Sequence, residues 1–165
     1  MQSNPNRHKE QLCPKQAGAS APCTKPQCTQ IFYMVKKRLN VRIKSFGIYD
    51  SWTGDQKKVP TIKQFTTNIP ACIGIEFGYV LQIKHGRGAE LDFEIDHPPW
   101  LGDDGSIEPP FRGSFFVRHN DYDFFLGDTI WEPWENKLGP WRLRTWHDGA
   151  LLADKTLDLI DPDLL

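Results

Sequence analysis

No run in the sequence approaches the ~18 consecutive apolar residues of a membrane-spanning helix. No apolar stretch of the kind that marks a secretory signal stands near the N-terminus. Neither a membrane partner nor export is expected on these grounds. Charge of one sign is also missing: 20 Lys and Arg stand against 21 Asp and Glu, a formal net charge of −1. That balance excludes a generally basic nucleic-acid binder. Cysteine is scarce, and three of the four, Cys13, Cys23 and Cys28, lie in the first 33 residues, which leaves Cys72 alone in the remainder. A lone cysteine without a signal peptide fits a reducing, cytoplasmic setting. The chain contains no H-x-H, H-E-x-x-H, C-x-x-C, Walker-type loop or G-x-S-x-G. No catalytic residue, metal site or cofactor is therefore expected. Long helical periods are absent too.

What is present divides in two. "MQSNPNRHKEQLCPKQAGASAPCTKPQCTQ" is rich in Pro, Gln, Ser, Ala and Lys. Such a segment buries too little apolar surface to offset its ordering entropy. Residues 1–33 are expected to be a disordered tail or an upstream extension, with Met34 as the true initiator and 34–165 as the folded domain. His8 with the three tail cysteines suggests a zinc knuckle, but the C-x-x-C element is missing.

Thirteen prolines, thirteen glycines, six tryptophans, four tyrosines and ten phenylalanines fit an all-β chain with many turns. Leu39, Val41 and Ile43 alternate with basic residues, and the apolar phase then slips to Phe46 and Ile48. A bulge near Gly47 would produce the slip. A short strand is expected over 61–67. In "IGIEFGYVLQI", Ile73, Ile75, Phe77, Tyr79, Leu81 and Ile83 recur at a strict period of two, which no helix produces. "AELDFEID" alternates Leu91, Phe93 and Ile95 with Glu90, Asp92, Glu94 and Asp96, and reads as the antiparallel partner of the preceding strand across "HGRG". Two Pro-Pro pairs bracket the loop that follows. Further strands are expected near 113–119 and 122–131. Asp148-Gly149 marks the turn of a final hairpin whose inward residues are Trp141, Leu143, Leu157 and Leu159. About eight strands at this spacing predict an antiparallel β-sandwich. The expected core is Val41, Ile43, Ile75, Phe77, Tyr79, Leu81, Phe93, Ile95, Val117, Trp141, Leu143, Leu157 and Leu159.

"VRIKSFGIY", "IPACIGIEFGYVLQI" and "LGPWRLRTWHDGALLADKTLDLI" resemble an uncharacterised bacterial family, domain of unknown function three-eight-five-nine, over roughly residues 40–160. The resemblance implies an immunoglobulin-like β-sandwich and no established activity, and it supplies no site residue.

The stretch "WEPWENKLGPW" concentrates three of the tryptophans. Gly139-Pro140 is expected to form a turn that starts the final hairpin. Trp131 and Trp134 stand three apart, so a strand cannot present both on one side; one should cap the core and the other be partly exposed. Trp52, Trp100, Trp131 and Trp134, with Glu132 and Glu135, are the candidate binding residues. Two coplanar exposed rings among them would make a sugar platform, and the two glutamates have the residue types of a glycosidase pair. A domain this small leaves little room for the walls of a hydrolase cleft. Asp103, Asp104, Asp121 and Asp123 fit turn hydrogen bonding better than a calcium loop. Residues 34–63 carry eight basic and two acidic residues, and 90–135 carry two basic and twelve acidic ones. The basic first strand and the acidic strand at 89–96 either pair or form two opposed faces. A non-catalytic module that binds a protein partner is the expected function. A carbohydrate-binding module is the first alternative, and a small hydrolase or metal enzyme the second.

Overall fold

The computed structural model describes residues 37–53, 58–102 and 104–164. The tail over 1–33, Met34 and Asp103 therefore lie outside the described residues. Among the described residues nine strands follow one another: β1 (Asn40–Tyr49), β2 (Ile62–Gln64), β3 (Asn68–Pro70), β4 (Glu76–Lys84), β5 (Glu90–Asp96), β6 (Phe111–Phe116), β7 (Asp121–Thr129), β8 (Gly139–His147) and β9 (Ala150–Ile160). A short 3₁₀ turn, Glu135–Lys137, precedes β8. One sheet runs β2-β1-β4-β7 and the other β3-β9-β8-β5-β6. The result is an all-β, immunoglobulin-like sandwich, antiparallel except for β3, which runs parallel to β9.

The apolar alternation assigned the inward residues of β4, β5 and the final hairpin correctly. Phe77, Tyr79, Leu81 and Ile83 from β4 and Leu91 and Ile95 from β5 are buried between the sheets, with Trp141, Leu143, Leu157 and Leu159 from the final hairpin. Val41, Ile43, Ile75 and Phe93 are half-buried at the margin of this core. The Phe77 ring meets Trp141 edge-on at 5.3 Å and joins the two layers. Tyr79 Oη and Thr145 Oγ1, 2.7 Å apart, satisfy each other across the same gap. Asp148 and Gly149 both have positive φ, +48° and +76°, as the tight turn between β8 and β9 requires.

Neighbours were less legible than faces. β4 and β5 are not a hairpin: β4 lies between β1 and β7, and β5 between β6 and β8. Alternation records which side of a strand is wet, not which strand lies beside it. The expected strand over 61–67 is only the three-residue β2, and β3 follows it at Asn68 in the other sheet. The slip in β1 falls at Lys44, between Ile43 and Ser45, rather than at Gly47. Ile73 precedes the strand and is 56% exposed. The second face of β4 is not wet either. Val80 packs with Tyr49 and Phe125 beneath Trp52, Val59 and Ile62, so these three side chains cover the outside of the first sheet. Gly139 and Pro140 belong to β8 itself, in register with Leu159 and Asp158. Pairing of β8 with β5 stops at Arg142, so proline sits where β8 has a partner on one side only.

Gly47, Gly78 and Gly127 lie side by side across β1, β4 and β7. A Cβ at Gly47 would strike the Gln64 carbonyl oxygen, and one at Gly78 the Leu126 carbonyl oxygen. This row of glycines lets backbones approach where no side chain fits.

Candidate functional site

One end of the sandwich gathers most of the tryptophans. β5 ends at Asp96 and the chain passes through His97, Trp100 and the 97–110 loop into β6, which starts at Phe111. Leaving β7, it passes through Trp131 and the 3₁₀ turn before entering β8 at Gly139. Trp141, fully buried, is the centre, and its Nε1 donates to Lys137 O at 2.9 Å. Trp100 stacks on it at 5.8 Å and 25°, and His97 stacks on Trp100 at 3.8 Å and 27°. Trp131 stands edge-on to Trp100, at 6.1 Å and 80°. His97 joins the two ends of the loop, with Nδ1 3.0 Å from Pro98 O and Nε2 3.1 Å from Pro109 O.

The cage between these rings is filled by the protein's own lysine. Lys137 is buried, with Nζ 4.5 Å from the Trp131 ring centre and 5.5 Å from that of Trp100. Its ammonium donates to Pro133 O at 2.5 Å and to Asn136 Oδ1 at 3.2 Å. Burial lowers the Lys137 pKa, and the Glu135 and Asp128 carboxylates oppose that shift. A lysine in a polar loop reads as exposed, which is why the sequence did not single it out.

Asp128 stands opposite Phe77 and so shares its inward side. Burial pushes its carboxyl from 3.8 up to about 6. The Glu76 carboxylate adds to the rise, while the Thr129 N–H, His97 and Lys137 act against it. A raised folded pKa means that the ionised carboxylate costs stability above pH about 6, and that this cost disappears below 3.8. Asp128 is only half-buried, and solvent screening keeps the effect near ~1 kcal/mol. Asp128→Asn should therefore stabilise the fold by ~1 kcal/mol at mildly alkaline pH and lose that advantage in acid. Urea melts across the pH range check this; an advantage independent of pH would contradict it.

The candidate binding residues separate. Trp100, Trp131 and Trp134 gather at this end: Trp100 and Trp134 pack half-buried on the core, and Trp131 is 37% exposed. Glu132 and Glu135 are exposed and line, with Pro133 and Trp134, an open depression of about 340 Å³. Trp52 lies elsewhere, on the outside of the first sheet, donating through Nε1 to Lys58 O and meeting Phe125 at 5.5 Å. Asp104 accepts from Ser106 N and Oγ, and Asp123 pairs with Lys44 at 2.6 Å. No group of three His, Cys, Asp or Glu side chains suited to a metal ion occurs among the described residues.

Beside the ring cluster the surface is apolar. Leu101 and Ile107, 68% and 66% exposed, face each other across a single bridge in the loop, and Phe111 and Trp131 are exposed at the same end. Asp104, Glu108, Glu132 and Glu135 lie along these same segments.

A second feature was not foreseen. The outside of the second sheet carries an open groove of about 510 Å³, lined by Asp92, Glu94, Arg112, Ser114 and Trp146 among others. Glu94 is buried there between two arginines: Arg112 Nε donates to it at 2.6 Å, and Arg144 Nη2 binds its other oxygen. These arginines hold the Glu94 carboxyl below its usual range even though burial opposes them. The acidic strand thus pairs with β6 and β8, and the basic strand β1 lies in the other sheet. The sequence showed the two ladders but not the strands beside them.

No helix of the described residues is long and apolar enough to cross a membrane. The two-sheet order and the capped end define an immunoglobulin-like domain. The fold resembles a crystal structure of an immunoglobulin-like protein from Pseudomonas aeruginosa, with a TM-score of 0.61 and 23% identity over 76% of this chain and 99% of that one. The chain belongs to the DUF3859 family, a domain of unknown function, whose model matches residues 37–159. No curated protein matches the chain.

Proposed function

We propose that this domain is a non-catalytic module that binds another protein through the apolar corner formed by Leu101, Ile107, Phe111 and Trp131. The observation that carries this reading is the exposure of four large apolar side chains at one end, on segments that also bear Asp104, Glu108, Glu132 and Glu135. Grouped exposed apolar residues with a charged surround favour protein docking over solvent. The acidic surround favours a partner with a basic rim and disfavours nucleic acid. Among the described residues Cys72 has no disulfide partner, which supports a reducing, cytoplasmic setting.

The sugar-platform reading draws less support from the same geometry. Trp100 and Trp131 cross at 80° and Lys137 occupies the space between them, whereas stacking on a sugar needs two rings in one plane. Leu101→Asp combined with Ile107→Asp should abolish capture of the partner from a source-cell extract while leaving the urea melt within ~1 kcal/mol of wild type. Capture unchanged by the double substitution, or tryptophan fluorescence that saturates with soluble oligosaccharides, would overturn the proposal.

A further inference from the structure

The edges of the two sheets are unequally protected. β2 and β3 are three residues long, and β7 carries Asp121, Asp123 and Asp128. Short or charged edges resist pairing with another chain. β6, FRGSFF, is the remaining edge; it pairs with β5 alone and has a single charged residue. Phe116 is 56% exposed on it.

We propose that β6 pairs with β6 of a second copy of this chain, antiparallel about a two-fold axis through Ser114, which joins the two five-stranded sheets into one. A two-fold axis perpendicular to the sheet maps its outer face onto itself, so residues opposite each other across the junction must both point outward. The outward residues of β6 are Arg112, Ser114 and Phe116, in register with Glu94, Asp92 and Glu90 of β5. Centring on Ser114 sets Arg112 of each copy opposite Phe116 of the other. Centring on Gly113 instead sets Arg112 opposite Ser114 and leaves both Phe116 rings in water.

The Ser114 register is self-complementary. The Arg112 side chain is 68% exposed although its Nε is bound to Glu94. One face of its guanidinium is thus available to the ring of the opposing Phe116, an arrangement favoured by the ring quadrupole. The interaction occurs twice per dimer, and the strand backbones add their own hydrogen bonds along β6. On the inner side Gly113 faces Phe115 of the other copy, and the space over Gly113 is filled by the chain's own Phe93 ring. Phe115 already stacks on Phe124 at 3.4 Å and need not move. The apolar corner meets β6 only at Phe111, its first residue, so this pairing rests on different side chains, Arg112, Ser114 and Phe116.

Sedimentation equilibrium of the full chain over a wide concentration range reads the proposal directly. A reversible monomer–dimer equilibrium is expected. Phe116→Lys, which sets a lysine against Arg112, should weaken it ~10-fold or more. Arg112→Glu should weaken it too, and an equimolar mixture of the two variants should recover association, because the new carboxylate then faces the new ammonium. A mass that stays monomeric at every concentration, a Phe116→Lys variant that dimerises like the wild type, or two folded variants that fail to associate when mixed would overturn the proposal. If Arg112→Glu does not fold beside Glu94, the Phe116→Lys comparison decides alone.

Discussion

Trp141→Ala should remove ~3–5 kcal/mol of stability, the range for an aromatic lost from a well-packed core. The ring is fully buried and touches both layers and the capped end at once. It meets Phe77 edge-on, carries Trp100 on its face, and donates to Lys137 O. Truncation leaves three kinds of deficit. A void opens between the sheets, the Lys137 carbonyl loses its donor, and the Trp100–His97 stack loses its floor. A domain of this size has only ~5–15 kcal/mol in total, so the variant should sit near the threshold of folding. Urea melts of wild type and variant measure the loss. A loss below ~1 kcal/mol would show that the capped end does not rest on Trp141.

Gly78→Val should be at least as damaging, ~3 kcal/mol or more, for the opposite reason. Here nothing is removed; a side chain is added where none fits. The new Cβ would overlap the Leu126 carbonyl oxygen and crowd the Gly127 Cα, both backbone atoms of β7 that cannot rotate away. Relief requires β4 and β7 to part at the centre of the sheet. Gly74→Ala supplies the contrast. It also has positive φ, +83°, but nothing lies within 4 Å of its Cβ, so only backbone strain remains, ~1 kcal/mol. Thermal melts of the two variants should differ widely. Equal losses would mean that strain, and not the close approach of the strands, sets the cost at Gly78.

These two positions mark how far the sequence could be read. Trp141 was legible because it opens a clean alternation with Leu143 and Thr145, and all three are buried. Gly78 was not, because it lies on the face of β4 that reads as polar and wet. Glu76, Val80 and Gln82 mixed with glycines look like a solvated side, and only the packing of Trp52, Val59 and Ile62 over Val80 and its neighbours makes it an interior. A loop's resting place is a tertiary fact with no periodic signature.

The same limit governs the functional end. Trp52, Trp100, Trp131 and Trp134 form one group by residue type and loop position, and the fold brings only the last three together. Trp52 shares type and position but packs on Phe125 in the other sheet. Trp146 was passed over because it falls on the outward phase of the final hairpin, where it meets the groove beside Asp92 and Arg112. His97 and Lys137 were invisible as partners because their contacts depend on the entry and exit of the 97–110 loop and the 3₁₀ turn.

The central claim, that the apolar corner at the tryptophan-rich end docks a protein, is tested most directly by site-specific photocrosslinking in source cells. A photoreactive residue placed at Ile107 should yield a discrete covalent adduct with one protein, whereas the same residue at Phe65, equally exposed but on the β2 side of the first sheet, should yield none. No adduct at Ile107, or the same adducts at both positions, would contradict it.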